Sequence, residues 1–195
     1  FFEEIKKDLI EIIMAIHNDS PYSIQGNFPN NKNLKYNLTE SDSDFLKINE
    51  EPVIKLRNWI SKKLIEAYSK IQIKGNEVVI TESWFHVTKK AGFHNLHTHP
   101  DTPLGGIFYI EDGGSSEGNQ WLNPIFGYSH RISDIWCKPF FESKFIPGRL
   151  ILFPGWILHA AKPHMGNKNR ILVAFNSTVL FHEDQVIHLS KINKK

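Results

Sequence analysis

The sequence predicts a mainly β fold, a β-sandwich or jelly roll carried on two N-terminal helices. Three observations predict it. Apolar residues recur at helical spacing over residues 1–17 and 52–71, and after Gly75 they fall into short β-branched and aromatic runs between turn residues. Two helices followed by a series of strands, with no regular alternation of the two, argue against a βαβ architecture.

The first helix is expected over residues 1–17, where Phe2, Ile5, Leu9, Ile12, Ile13 and Ile16 form one face, and Asn18-Asp19-Ser20-Pro21 ends it. Residues 22–50, polar and rich in Asn and Ser, read as an irregular connection. A second helix is expected from Pro52 to about Ile71, with Glu50, Glu51 and Pro52 suiting its first turn. Val53, Leu56, Trp59, Ile60, Leu64 and Tyr68 form its apolar stripe. Strands follow at residues 78–80, 84–87, 105–110, 150–153 and 171–175. Between them, residues 112–145 carry Trp121, Phe126, Tyr128, Trp136, Phe140 and Phe141, and read as a lid insertion. The expected organisation is one domain over 1–195, with helical support in 1–75 and the β core in 76–180.

With 195 residues, 41% of them hydrophobic, the chain can bury a core without staples. A net charge of +2 gives no argument for nucleic acid or an acidic membrane surface. No apolar run reaches membrane-spanning length. Cys137 is the only cysteine, which excludes an internal disulfide framework and makes a reducing, cytoplasmic setting the expectation. A homodimer is left open.

The chemistry-bearing residues lie between 97 and 170. His97, His99 and Asp101 share parity, so on an extended segment they point to one face. His159 closes an apolar strand, and ten residues separate it from Arg170, a gap that suits a hairpin turning near Pro163–Asn167. Two imidazoles and a carboxylate on one face of a metal form the ligand set of non-haem Fe(II) oxygenases. An Arg beside such a site can hold a carboxylate bidentately. Two ligand sets stay open: His99, Asp101 and His159, favoured by the charge a carboxylate brings to Fe(II), or one led by His97, favoured by the length of the following turn. The catalytic set carried forward is His99, Asp101 and His159, with His97 kept as a further metal candidate. His86, His94, His130, His164, His182 and His188 keep the plainer reading of surface or supporting groups.

From Glu82 to Asn176 the chain resembles the 2-oxoglutarate/Fe(II) oxygenase superfamily, in particular a group of such oxygenases from bacteria and phages with a His-x-His-Pro motif. The resemblance rests on Trp84, Gly92, His97-Thr98-His99-Pro100, Leu104 to Tyr109, Phe153-Pro154-Gly155-Trp156-Ile157-Leu158-His159, and Arg170 to Asn176. It departs at Gly105, where the group has Ser. It implies a double-stranded β-helix (cupin-like) core, Fe(II) as cofactor, 2-oxoglutarate as co-substrate, His159 as distal iron ligand and Arg170 on the distal carboxylate of 2-oxoglutarate. Tyr109 and Asn176, within the resembling strands, are expected beside the cofactors.

The implied activity is a dioxygenase that uses O2 to hydroxylate an unactivated C–H bond, with release of succinate and CO2. A small molecule or an amino-acid side chain is the expected substrate, with Arg131 and Lys138 in the aromatic insertion suited to a polar one. Two rivals remain. A cupin-type three-His dioxygenase or isomerase would not use 2-oxoglutarate. A binding module with structural metal would close its site with four protein ligands.

Overall fold

The computed structural model describes residues 1–19, 37–41, 44–73, 75, 77–124 and 138–181. Helix α1 spans Phe2–Asp19 and helix α2 spans Glu51–Lys70, each within two residues of the spacing that predicts it. Their stripes, including Ile5, Leu9, Ile13, Leu56, Ile60 and Leu64, are buried. Pro52 sits in the first turn of α2, where its missing N–H leaves no hydrogen bond unmade.

Among the described residues, nine strands form two antiparallel sheets. Strands β1 (Leu38–Glu40), β2 (Glu77–Thr88), β4 (Leu104–Glu111), β7 (Leu150–Pro154) and β9 (Arg170–Leu180) make one, in the order β1-β2-β9-β4-β7. Strands β3 (His94–His97), β5 (Glu117–Leu122), β6 (Phe140–Lys144) and β8 (His159–Ala161) make the other, in the order β3-β8-β5-β6.

The large sheet is buried on both faces, and strand β9 shows how one sequence serves two layers. Ile171, Val173 and Phe175 join the core shared with α1 and α2. Arg170, Leu172, Ala174 and Asn176 line a cavity facing the other sheet. Period-two alternation thus separates fold support from site in a single strand. Between the sheets Ile107, Tyr109, Trp121, Phe145, Phe153, Leu172 and Ala174 form a second core that floors the cavity.

Three arrangements differ from the sequence reading. Residues 22–50 include a strand, β1, and a short 3-10 turn at Phe45–Lys47 whose Phe45 and Leu46 are buried. Within 112–145, residues Glu117–Leu122 and Phe140–Lys144 pair with each other, and β5 also pairs with β8. Residues 125–137 of that insertion lie outside the described residues. Finally, His159 and Arg170 are not joined by a hairpin. β8 pairs with β3 and β5, whereas β9 pairs with β2 and β4, so the connection crosses from one sheet to the other.

That crossing is pinned at His164, which is fully buried. Its backbone N–H donates to Gly92 O at 2.8 Å, its carbonyl accepts from Ala91 N, and its Nε2 contacts Lys168 O at 2.7 Å. The local result is the same closeness that a hairpin would give, reached by facing sheets instead of neighbouring strands.

Candidate active site

Strand β3 ends at His97, opposite His159 on β8. The chain then turns through residues 98–103 and enters β4. His99 is held in that turn by its backbone N–H, which donates to Gly155 O at 2.8 Å. One ligand atom each from His97, His99 and His159 lies within 4.8 Å of the others, with His99 and His159 buried and His97 half-buried. Strand parity alone does not make this cluster. The pairing register between β3 and β8 and the close approach of Gly155 to the turn are both needed.

Each imidazole is oriented by a contact at Nδ1. For His97 the partner is Asn95 O at 2.7 Å, for His159 it is Ile157 O at 3.1 Å, and for His99 it is Asn176 Oδ1 at 2.6 Å. An Nδ1–H donated to oxygen leaves Nε2 as the lone-pair nitrogen, the tautomer a metal requires. Asn176 is in turn fixed by donating from Nδ2 to Glu82 Oε2 at 2.8 Å. The rings are also boxed by aromatic side chains. Trp84 stacks on His99 at 5.8 Å, Trp121 stacks on His159 at 5.0 Å, and Phe153 meets His99 edge-on at 5.4 Å.

His97 and His159 are kept neutral. Burial first, then the neighbouring imidazoles, lower His97 to about 4 and His159 to about 3. Neutral imidazoles are the form that binds metal, so protons offer little competition near neutral pH.

Arg170, at the start of β9, projects into the same cavity of about 270 Å³. It is 2% exposed. Its guanidinium donates to two carbonyls at the limit of hydrogen bonding, Glu117 O at 3.3 Å and Lys162 O at 3.4 Å, and its Nε has no partner. Burial lowers its pKa to about 10, which leaves it charged. No carboxylate among the described residues forms an ion pair with it. A buried guanidinium without an anion is costly, and a carboxylate ligand offsets that cost.

The remaining expected residues fall elsewhere. Asp101 is exposed, occupies the left-handed turn position with φ 57°, and stands outside the three-His grouping. It lies on the outer side of the turn near Trp156, because the 98–103 segment leaves the extended conformation that parity assumes. Tyr109 is fully buried behind the cavity wall, where its hydroxyl donates to Asn119 Oδ1 at 2.6 Å and contacts Ser143 Oγ at 3.1 Å. Asn119 itself lines the cavity, so Tyr109 acts one residue removed. Asn176 lines the cavity while orienting His99.

Gly105, the departure from the resembling group, has a spatial consequence. A Cβ there would meet the Phe153 ring at 2.7 Å, so glycine gives room for the ring that packs on His99 and His159.

Sequence reasoning did not place Glu40, His86, His94 or Asn119 at the site, and all four line the cavity. His86 shares parity with Trp84 on one strand, a signal that could have found it. Glu40 sits in a polar stretch with no motif around it. His130, His182 and His188 lie outside the described residues.

Residues 82–176 match the model of a family described as "Putative 2OG-Fe(II) oxygenase". No curated protein shows a significant sequence match to the chain. Among solved structures, the chain is similar to the non-haem α-ketoglutarate-dependent carbocyclase SnoK of nogalamycin biosynthesis, at 11% identity and TM-score 0.64, covering 95% of this chain and 81% of that one. It is also similar to HygX from Streptomyces hygroscopicus, solved with nickel and 2-oxoglutarate, at 12% identity and TM-score 0.60, covering 91% and 79%. A prolyl-4-hydroxylase from Pseudomonas putida matches at 9% identity and TM-score 0.57, covering 89% and 86%. At such identities these likenesses speak for the fold, a jelly roll on two helices, while the family match speaks for the chemistry. That match, running from the strand of Trp84 to Asn176, covers just under half of the chain and supports reading it as a 2OG-Fe(II) oxygenase, an enzyme using Fe(II) and 2-oxoglutarate.

Proposed function

We propose that His97, His99 and His159 hold Fe(II) through Nε2, that Arg170 grips the distal carboxylate of 2-oxoglutarate, and that the enzyme hydroxylates a C–H bond of a small molecule or amino-acid side chain. The observation that carries this reading is the buried guanidinium. Arg170 is charged, lacks a protein anion among the described residues, and lines one cavity with three imidazoles whose Nε2 atoms are spared by their Nδ1 contacts. Three neutral nitrogen ligands with open positions suit non-haem iron. Arg170 also favours 2-oxoglutarate use over the cupin-type three-His alternative.

Bound Fe(II) supplies the activation of O2 that couples 2-oxoglutarate decarboxylation, giving succinate and CO2, to substrate oxidation. The protein's own residues position and shield. Arg170 sets the far end of the co-substrate, and Asn119 offers a polar amide beside it. Trp84, Ile107, Leu172 and Ala174 present apolar walls that exclude water from the reacting centre. Asn176 and Glu82 keep the His99 ring in register.

The reading takes residues 1–195 as one catalytic domain, with the helices supporting the large sheet. No helix among the described residues is long and apolar enough to cross a membrane. The lone Cys137 supports work in the reducing cytoplasm.

The test is succinate release across a 2-oxoglutarate series, with iron content measured in parallel. Arg170→Ala loses charge-assisted contacts worth about 1.5–3 kcal/mol, which is roughly 10- to 100-fold in co-substrate affinity. Arg170→Lys recovers only part of it, since an ammonium lacks the planar fork. An unchanged 2-oxoglutarate requirement with iron still bound contradicts the assignment.

A further inference from the structure

The cavity holds one charged group that iron and 2-oxoglutarate do not use. Strand β1 at the sheet edge brings Glu40 into it, paired across the strands with His86. Among the described residues lining the cavity, Glu40 is the only carboxylate and Arg170 the only guanidinium or ammonium. Among the described residues, no Lys or Arg pairs with Glu40. Its side chain is 19% exposed, and its contacts all fall on Oε2: His86 Nε2 at 2.7 Å and His94 Nε2 at 3.8 Å. Oε1 accepts no hydrogen bond among the described residues. Burial pushes the carboxyl up, but the His86 hydrogen bond together with the neighbouring imidazoles outweighs it and lowers the pKa. The cavity therefore presents an ionised carboxylate with one oxygen open.

A second metal is the obvious rival, since Glu40, His86 and His94 offer ligand atoms within 4.8 Å of one another. The hydrogen bonding differs from that of the three-His cluster. His86 Nε2 already faces the Trp84 indole N–H at 3.1 Å as well as Glu40 at 2.7 Å, so its one in-plane position is taken. The His86 and His94 rings also lie nearly parallel, 11° apart in plane and 5.4 Å between centroids. The two rings form flat walls beside a carboxylate.

We propose that the substrate carries a protonated amine that seats on Oε1 of Glu40 while the carbon to be oxidised faces His97, His99 and His159. This rests on the iron and 2-oxoglutarate reading above and names the substrate class of the same site. An ammonium group completes the charge that Glu40 leaves unpaired, and a half-buried charge-assisted hydrogen bond is stronger than a neutral one. Neutral molecules of the same shape gain nothing from Oε1. The chemistry therefore selects amines over alcohols or hydrocarbons of equal size.

The test uses the Co(II)-loaded protein with 2-oxoglutarate bound and titrates n-butylammonium against 1-butanol by calorimetry. In the wild type the ammonium binds tenfold or more tightly than the alcohol. Glu40→Gln, which keeps the side-chain shape, brings the two within about twofold while leaving the alcohol unchanged, and Glu40→Asp retains part of the preference. Equal binding in the wild type, or a preference that survives Glu40→Gln, overturns the assignment of Glu40. So does a second divalent ion per chain that Glu40→Gln removes. Failure of 2-oxoglutarate to bind the wild-type holoprotein is a separate result, which removes the parent reading and this one together.

Discussion

At the scale of single residues, the site is made by what lies behind each imidazole. Asn176 holds His99 Nδ1 at 2.6 Å and is itself tied to Glu82. Removing such a support costs metal affinity because the ring then samples unproductive orientations, typically by about 10- to 100-fold. Asn176→Ala is therefore expected to weaken Fe(II) or Co(II) binding in that range, read by metal titration, and Asn176→Asp to recover only part of it, because a carboxylate still accepts from Nδ1 but repels Glu82. Wild-type affinity in Asn176→Ala would contradict the role. The cluster His97, His99 and His159 was legible in the sequence as candidates. Asp101 joined them only while the segment was taken as extended, and its left-handed φ of 57° turns it outward. Glu40 was not legible, because a single acidic residue in a polar stretch carries no periodicity and its place depends on pairing with β2.

At the scale of elements, both helices and the long strands follow from periodicity, since a stripe every 3.6 or two residues records which side is buried. The short strands do not. Glu117–Leu122 and Phe140–Lys144 are mixed or exposed in composition, and they are strands because they pair with one another and with β8. Alternation also gives a residue's face without its sheet, which is why His159 and Arg170 suggested a hairpin yet stand on opposing sheets. Gly155 is the joint between the 98–103 turn and the strand ending in Pro154. A Cβ there would meet Thr102 O at 2.1 Å and His99 O at 2.6 Å, both backbone atoms that cannot swing aside. Gly155→Ala should therefore cost about 1–3 kcal/mol of stability and displace His99, lowering metal affinity with the sheets intact. Thermal unfolding and metal titration check it together. Unaltered values in both would show that the turn yields freely.

At the scale of the whole molecule, two sheets enclose a cavity in which His94, His97 and His159 are held neutral, and that has a cost in acid. His97 and His94 are lowered to about 4 and His159 to about 3, in each case mainly by burial, against 6.5 for a free imidazole. The unfolded chain takes up protons as pH falls through 6.5 while the folded chain does not. The stability these groups contribute is thus fully present above about 6.5 and is lost as pH falls toward 4. The metal-free protein should show a melting temperature on the order of 5 °C lower at about pH 5 than at about pH 7. A flat profile would mean the three imidazoles titrate normally. The central claim is that three histidines, without Asp101, hold the iron to which 2-oxoglutarate binds. The most direct measurement is anaerobic titration of Fe(II)-loaded protein with 2-oxoglutarate, following the visible charge-transfer band of the chelate in wild type, His97→Ala and Asp101→Ala. The account predicts the band in wild type and Asp101→Ala and its loss in His97→Ala; a band that survives in His97→Ala and vanishes in Asp101→Ala would contradict it.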